Sequence, residues 1–418
     1  MTGWFFGVGA LLLLLAGAVA LVRPTSLISL STNLALLTGM RVLLIVYALG
    51  WAGLLVDAWR LADPPSLDQR RRLALAGCNG VLCLGLTGAL LFGSHLVAVQ
   101  RDFIAAVFDG QQVSGAADGR YNILLLGGDA GVGRVGIRPD SITVASIDAQ
   151  TGRAVLFGLP RNLAEVPFPD GSVMRGEFPT GFDCDGCYLN GVNTWATDNA
   201  ELFPHTKEPG IAATQQAVEE ITGLSINYYA LIDLKGFQDL VDAVGGVTID
   251  ITEPIPVGKV GDITDWIQPG KRHLNGYETL WYARSRATSD DYSRMARQKC
   301  VMNAMLRQLD PATVLSNFSA IAGAGEQIIS TSIPASEVDV FVGLAGKAKS
   351  LPVSSVAFVP PKINTSEPDW SLIRTMVGAA IERGEAADSG DKPDTGTAKK
   401  RPGKKLNANG STDLAKAC

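Results

Sequence analysis

Long apolar stretches near the N-terminus constrain this chain more than any other feature. About 20 predominantly apolar residues are needed to cross the hydrocarbon core of a bilayer. Three stretches within the first hundred residues are long and apolar enough to do so: Trp4–Val22, Met40–Val56 and Leu73–Val99. The first lacks the basic start and the small-residue cleavage site of a signal peptide. We therefore expect residues 1–100 to form three retained transmembrane helices.

The arginines between these spans predict how they are oriented. The loop between the second and third spans contains four of them: Arg60, Arg70, Arg71 and Arg72. The first loop has only Arg23 and Arg41, at its edges. Since cytoplasmic loops carry an excess of arginine and lysine, the second loop is expected in the cytoplasm. With three spans, everything after Gln100 then lies outside the cell.

The remaining chain divides by composition into a linker, a domain and a tail. Residues 101–119 are expected to be a linker, because Gln111–Gly119 consists largely of small and polar residues. Apolar segments occupy residues 120–383, which are predicted to form one catalytic domain. Residues 384–418 contain too few apolar side chains to offset the entropy cost of ordering. We expect them to be a disordered tail.

Within the domain, short apolar runs alternate with helical patterns. The runs that predict strands are Tyr121–Leu126, Ser141–Ile147, Ala154–Leu159, Tyr228–Ile232 and Val247–Ile251. Helical spacing is found in Pro209–Gly223, Leu234–Val244 and Asp291–Leu309. The second and third strands are expected to be neighbours because only a turn-like DAQTG separates them. This alternation predicts a layered α/β domain with a central sheet flanked by helices.

Cys184 and Cys187 form a CxxC motif in the segment FDCDGCYLNG. A disulfide fits a compartment outside the membrane and is the favoured interpretation. Half of a zinc site is the alternative, although the chain offers no second CxxC and no suitable histidine pair.

Two features exclude other classes of ligand. The formal net charge of −5 gives no reason to expect a nucleic-acid partner. Gly131–Gly136 matches G-x-G-x-x-G, but Pro139 and a β-branched run follow where a dinucleotide fold requires a helix. A nicotinamide site is therefore not expected.

Two aspartates stand where neighbouring strands should meet. Asp129 follows the first strand and Asp140 precedes the second, so pairing of the two strands would bring both carboxylates toward one point. Two carboxylates together with substrate phosphates are a common way to hold Mg²⁺. Ordinary turn aspartates are the alternative.

Arginines near these aspartates favour a phosphate ligand. Arg138 precedes Asp140 by two residues, Arg161 ends the third strand, and Arg284 and Arg286 would share a face in an extended segment. Guanidinium groups bind phosphate oxygens in a bidentate fork. A second group, Asp291, Arg294 and Gln298, has the spacing of one helix face. This face could equally be solvated, so the arginines alone do not decide the function.

Three ordered motif blocks resemble the LytR-CpsA-Psr family of cell-wall enzymes. The blocks are Tyr121–Arg161, the segment Leu189–Asn193 with the following GFQDLVDAVGGVTIDI, and YARSR with DDYSRMARQ. The resemblance implies transfer of a phosphoglycan from a polyprenyl-pyrophosphate carrier to peptidoglycan, with a long apolar pocket for the lipid. It covers about Tyr121–Leu309 and the upstream spans.

The family pattern also implies residue roles. Asp129 and Asp140 would hold Mg²⁺, or Mn²⁺ in its place. Four arginines would bind the pyrophosphate: Arg138, Arg161, Arg284 and Arg286. Arg294 and Gln298 would shape the head-group site. Asp291 would orient an arginine or help to deprotonate the acceptor.

Two departures from the family pattern leave other functions open. Asn162 stands where the family usually has Asp after the arginine, which removes a charge that could anchor Arg161. Gly128 replaces the usual Ser. A polyprenyl-pyrophosphatase would use the same residues, and a non-enzymatic envelope or regulatory protein is a further alternative.

Overall fold

The computed structural model of the protein describes residues 33–66, 68–108, 113–129, 138–259, 261–308, 329–348, 351–388 and 413–414. The chain divides into two compact units, Met1–Asp109 with Pro334–Gly343 and Gly110–Ile333 with Leu344–Cys418.

The described part of the first unit is dominated by two long helices, α1 (Leu34–Leu61) and α2 (Gln69–Val107). Both are long and apolar enough to cross a membrane, and no other described helix is. The second and third predicted spans correspond to them, whereas the predicted span Trp4–Val22 lies outside the described residues.

The boundaries of both helices differ from the predicted ones. Helix α1 begins at Leu34 rather than Met40, because the side chain of Asn33 accepts hydrogen bonds from the backbone of Ala35 and Leu36 and caps the helix there. Helix α2 continues to Val107, so the start of the predicted linker is helical. Its 39 residues extend about 60 Å, which is twice the thickness of the hydrocarbon core.

A mixed six-stranded sheet forms the centre of the second unit, in the order β10-β3-β2-β1-β4-β9. Its strands are β1 (Arg120–Asp129), β2 (Arg138–Asp148), β3 (Ala154–Leu159), β4 (Tyr228–Asp233), β9 (Ile329–Thr331) and β10 (Ser354–Ala357). The predicted β2–β3 neighbours pair antiparallel, and β1 pairs antiparallel with β2 and parallel with β4. The prediction of an α/β fold with a central sheet and flanking helices is confirmed.

Side chains alternate between the two faces of this sheet. Leu124, Val144 and Phe157 are fully buried in the main core on one face. The helices that pack there are α3 (Val173–Glu177), α4 (Leu189–Asp198), α5 (Pro209–Thr222) and α10 (Trp370–Asp388). Leu125 and Thr143, which are partners in the register, lie on the opposite face.

That opposite face is covered by helices α6 (Leu234–Ala243), α7 (Gly276–Arg284) and α8 (Asp291–Gln308). These helices share a second core with two small sheets, β5 (Val247–Ile251) with β8 (Gly270–Leu274), and β6 (Ile255–Lys259) with β7 (Asp262–Ile267). The predicted strand Val247–Ile251 therefore forms, but outside the central sheet. Helix α9 (Val338–Ala348) completes the described α-helices.

Two parts of residues 384–418, which were predicted to be a disordered tail, are described in the structure. Helix α10 continues to Asp388 rather than ending near Arg383. Farther on, Asp413 forms a β-bridge with Ser354, and Leu414 is buried with 1% of its surface exposed. The composition of residues 384–418 concealed this docking, because one apolar side chain can be buried by a surface that the rest of the chain provides.

Candidate functional site

A cavity of about 570 Å³ lies between the central sheet and helices α6, α7 and α8. Most of its walls are apolar, among them Leu125, Ala230, Leu240, Val301, Met302 and Met305. The polar groups that line it include Asp140, Arg284, Arg286, Arg294 and Gln298. Such a space matches a ligand with an apolar body and an anionic group.

The register of β1 and β2 presents Asp140 to this cavity. Gly127 pairs with Ser141, but Gly128 pairs with Pro139, so Asp140 is the extra residue of a bulge. A bulge bends the strand and re-aims a side chain. Gly127 suits the position, because a Cβ there would lie 3.2 Å from the Cβ of Ser141.

Arg161 connects two carboxylates from distant parts of the sequence. Its terminal nitrogen donates to Asp140 at 2.6 Å, and its Nε donates to Asp291 at 3.2 Å. Arg161 follows strand β3 after one intervening residue, Pro160, and Asp291 is the first residue of helix α8. The fold thus brings together three charged residues that are far apart in the sequence.

The carboxylate of Asp291 lies close to three arginines. Besides Arg161, it accepts a hydrogen bond from Arg294 at 3.1 Å and lies 3.9 Å from a terminal nitrogen of Arg286. Its carboxylate is therefore committed to guanidinium groups. Of the two roles that the family resemblance implies for Asp291, this geometry favours orienting arginines over deprotonating an acceptor.

The network controls the ionisation of Asp140. Burial works against its charge, but the hydrogen bond and charge of Arg161, with the charges of Arg294 and Arg286, lower its pKa below the ordinary 3.8. Burial also works against the charge of Arg161, yet Asp140 and Asp291 raise its pKa. Both partners are therefore ionised at neutral pH.

Arg294 is the most deeply buried member, with 3% of its side chain exposed. Burial lowers its pKa, although Asp291 and Asp140 work in the opposite direction. Its Nε atom has no hydrogen-bond partner among the described residues. A buried guanidinium that faces a cavity with a spare donor suits an anionic ligand, since leaving that donor unpaired is costly.

Arg284 and Arg286 reach the cavity from the end of a helix and not from the extended segment that their spacing suggests. Arg284 is the last residue of helix α7, where its guanidinium lies 5.1 Å from the Trp281 ring centroid. Arg286 follows after Ser285 caps the helix. The end of a helix thus brings both residues to the same site.

Arg297 supports the site in a way that the sequence did not predict. It donates to the carbonyl oxygens of Tyr282 at 2.7 Å and Ser285, and to the hydroxyl of Ser289 at 3.2 Å. These bonds hold the segment that contains Arg284 and Arg286 against helix α8. Only the DDYSRMARQ motif, in which it stands three residues after Arg294, could have singled it out.

Three further residues were predicted to belong to the site: Gln298, Arg138 and Asp129. Gln298 lines the cavity one helical turn after Arg294. Arg138 is exposed and is not among the described residues that line the cavity. The backbone of Asp129 pairs with Arg138 at the same end of the hairpin as Asp140, whereas its side chain lies outside what the structure describes.

The residues present are compatible with a divalent cation. Asp140 is ionised, faces the cavity and stands at the same hairpin end as Asp129. Among the described residues, no group of three or more acidic, histidine or cysteine side chains could hold a metal. An ion at Asp140 would thus take most of its ligands from water and phosphate, as Mg²⁺ commonly does.

Asn162 lies beside Arg161 but makes a different contact. Its amide nitrogen donates to the Thr365 hydroxyl at 3.4 Å, and its buried oxygen has no hydrogen-bond partner among the described residues. Arg161 is anchored by Asp140 and Asp291 instead. The missing carboxylate at 162 therefore does not leave Arg161 without an anionic partner.

The CxxC motif forms a disulfide between Cys184 and Cys187. It lies in the loop before helix α4, away from the cavity-lining residues. The geometry at Cys184 and Cys187 is that of the disulfide interpretation.

Comparison with known proteins places these residues in a family context. TagV of Bacillus subtilis, a polyisoprenyl-teichoic acid–peptidoglycan teichoic acid transferase, is 30% identical over 130 residues, covering 30% of this chain and 33% of TagV. TagU of Oceanobacillus iheyensis, named for the same activity, is 28% identical over 208 residues, covering 49% of this chain and 54% of TagU. The chain thus spans between about a third and half of the length of these relatives.

The crystal structure of B. subtilis TagV aligns with a TM-score of 0.48 and 22% identity, over 64% of this chain and 98% of that one. The model of the LytR_cpsA_psr family matches residues 97–364. Because this match covers more than half of the chain and includes every residue of the cavity, the chain belongs to the LytR_cpsA_psr family.

Proposed function

We propose that this protein transfers a phosphate-linked glycan from a polyprenyl-pyrophosphate carrier to peptidoglycan. The observation that carries the proposal is the cavity, whose apolar walls meet a group of arginines and an ionised Asp140. An isoprenoid chain would occupy the apolar part, and the pyrophosphate would lie against the arginines. The names of TagV and TagU, relatives within the family, support this substrate class.

The transfer replaces one phosphorus–oxygen bond by another. A hydroxyl of peptidoglycan attacks the glycan-linked phosphorus and loses its proton, and the bond to the polyprenyl phosphate breaks. Arg286 and Arg294 neutralise the pyrophosphate oxygens, while Asp291 keeps these guanidinium groups in position. Such catalysis depends mainly on positioning and on neutralising charge.

We further propose that Asp129 and Asp140 hold Mg²⁺, or Mn²⁺ in its place. A bound cation would supply charge neutralisation at the phosphates. Arg161 keeps Asp140 ionised and turned toward the cavity, so the carboxylate is available without prior loss of a proton.

We place the second unit outside the cell and anchor it through helices α1 and α2. Arg60 at the end of α1 and Arg70, Arg71 and Arg72 at the start of α2 flank the connection between these helices and favour a cytoplasmic position for it. If α2 crosses the membrane once, the following domain lies on the opposite side, whatever precedes α1.

The test uses the full-length protein purified in detergent, with a polyprenyl-pyrophosphate-linked glycan, peptidoglycan and Mg²⁺. We expect glycan bound covalently to peptidoglycan and release of polyprenyl phosphate. Arg286→Gln should reduce transfer by roughly 100-fold, since removing one charge-stabilising donor commonly costs that much. Arg307→Gln, an exposed position on the same helix as Arg294, is the control and should leave transfer unchanged.

Two outcomes would contradict the proposal. Release of lipid phosphate at the same rate with and without peptidoglycan, and no linkage, would instead identify a pyrophosphatase. Binding of the lipid without any turnover would identify an envelope-binding or regulatory protein.

A further inference from the structure

Leu414 lies against the back of the cavity, far from the rest of the described chain in sequence. It is buried in a small cluster with Ala145 and Leu156, and Leu125 and Met302 pack against that cluster. Leu125 and Met302 also line the cavity. The cluster that contains Leu414 thus packs against two side chains of the cavity wall.

The strand register shows on which side of the cavity Leu414 stands. On β2, Ser141 and Thr143 line the cavity, and the next residue on the same face is Ala145, in the Leu414 cluster. Two residues advance a strand by about 7 Å. The charged side chain of Asp140 precedes Ser141, so Leu414 lies beyond the apolar end of the cavity, opposite the charged end.

Backbone contacts hold Leu414 at this position. Its N–H donates to the carbonyl of Val353 at 2.9 Å, and Asp413 bridges to Ser354 on the edge strand β10. These backbone contacts fix the position of the Leu414 side chain. It covers a part of the sheet face that would otherwise lengthen the apolar cavity.

We infer that Leu414 is a stop at the apolar end of the cavity and sets the length of isoprenoid chain that the site accepts. This inference rests on the proposed function, in which the cavity holds the lipid carrier. Met302 is the movable element, because its flexible thioether chain can occupy space that a smaller residue at 414 leaves free. The cavity would then lengthen along the sheet.

The test measures how tightly the full-length protein in detergent binds geranylgeranyl phosphate and undecaprenyl phosphate. Leu414→Ala should increase the preference for the longer lipid, and Leu414→Phe should decrease it, by roughly tenfold in the ratio of dissociation constants. Opposite changes from the two variants cannot result from loss of stability alone. Leu372→Ala, at a leucine that is 39% exposed on helix α10, is the control and should leave the ratio unchanged.

A second variant covers the case in which Leu414→Ala does not fold. Met302→Ala opens the same wall from the cavity side and should shift the preference in the same direction as Leu414→Ala. An unchanged ratio in the folded variants, or no binding of either lipid by the wild type, would overturn the inference. Lipid binding does not require glycan transfer, so the two proposals can fail separately. If the variants shift the ratio of dissociation constants but the wild type transfers no glycan, the proposed function is refuted and the role of Leu414 stands.

Discussion

Arg161 shows how one residue can serve both the fold and the site. Its side chain is 22% exposed and pairs with Asp140 from a strand and Asp291 from a helix. The sequence identified all three residues as members of a phosphate site, but it did not predict that they pair with one another. Arg161 is 21 residues from Asp140 and 130 residues from Asp291 in the sequence, and only folding brings them into contact.

Removing this arginine should change stability in a pH-dependent way. The pKa of Asp140 in the folded protein lies below its ordinary value, so the stabilisation is present at neutral pH and is lost as the pH falls below about 4. We expect Arg161→Gln to lower the free energy of unfolding by about 1–3 kcal/mol at pH 7, because two charge-assisted hydrogen bonds are lost. Thermal unfolding of the purified protein at pH 7 and pH 3 would measure the difference.

Arg175→Gln serves as the control for this experiment. Arg175 pairs at 3.7 Å with Asp170, whose side chain is 98% exposed, and such surface pairs contribute little. We expect no measurable change at either pH. A deficit of Arg161→Gln that is equally large at pH 3 would contradict the proposed role of Asp140 ionisation.

Helix α8 presents charged residues to the cavity on one face. On another face it holds the segment that contains Arg284 and Arg286. Asp291, Arg294 and Gln298 follow the predicted helical spacing, and the latter two line the cavity. Arg297 instead donates hydrogen bonds to Tyr282 in helix α7 and to Ser289 in the segment that follows it. The helix therefore sets the relative positions of arginines that belong to two different elements.

The role of Arg297 can be tested by removing its donors while keeping an apolar stem. Arg297→Met should weaken binding of a polyprenyl pyrophosphate by roughly tenfold or more, because the carbonyls of Tyr282 and Ser285 lose their partner and Arg286 loses its fixed position. Arg297→Lys should recover part of the affinity, since lysine supplies donors without the planar fork. Titration calorimetry would give both dissociation constants.

Arg307→Met on the exposed side of the same helix is the matched control and should bind as the wild type does. Unchanged affinity in a folded Arg297→Met variant would mean that the segment after helix α7 is held without this residue.

At the scale of the whole molecule, the arrangement across the membrane depends on helix α2. Helix α1 ends at Leu61 and helix α2 begins at Gln69, so the four arginines Arg60, Arg70, Arg71 and Arg72 lie at the facing ends of the two helices. The proposed position of the second unit outside the cell therefore needs only a cytoplasmic connection between α1 and α2 and a single crossing by α2. It does not depend on counting the span before α1.

Thiol labelling in intact cells would measure this orientation. In a background of Cys78→Ala and Cys83→Ala, a membrane-impermeant maleimide should label Ala116→Cys in intact cells and Ser66→Cys only after permeabilisation. Both positions are exposed. The reverse pattern would place the domain in the cytoplasm and exclude peptidoglycan as acceptor.

Local periodicity and motifs predict the long apolar helices, the α/β alternation and the candidate residues of the charged site. The pairing of Arg161 with Asp140 and Asp291, the hydrogen bonds of Arg297 and the burial of Leu414 arise only in the folded chain. Such contacts join residues far apart in the chain, and no local pattern records which surface a side chain will meet. The cavity is an example of such a feature. Its walls come from the central sheet and three helices, so it forms only when these elements pack together.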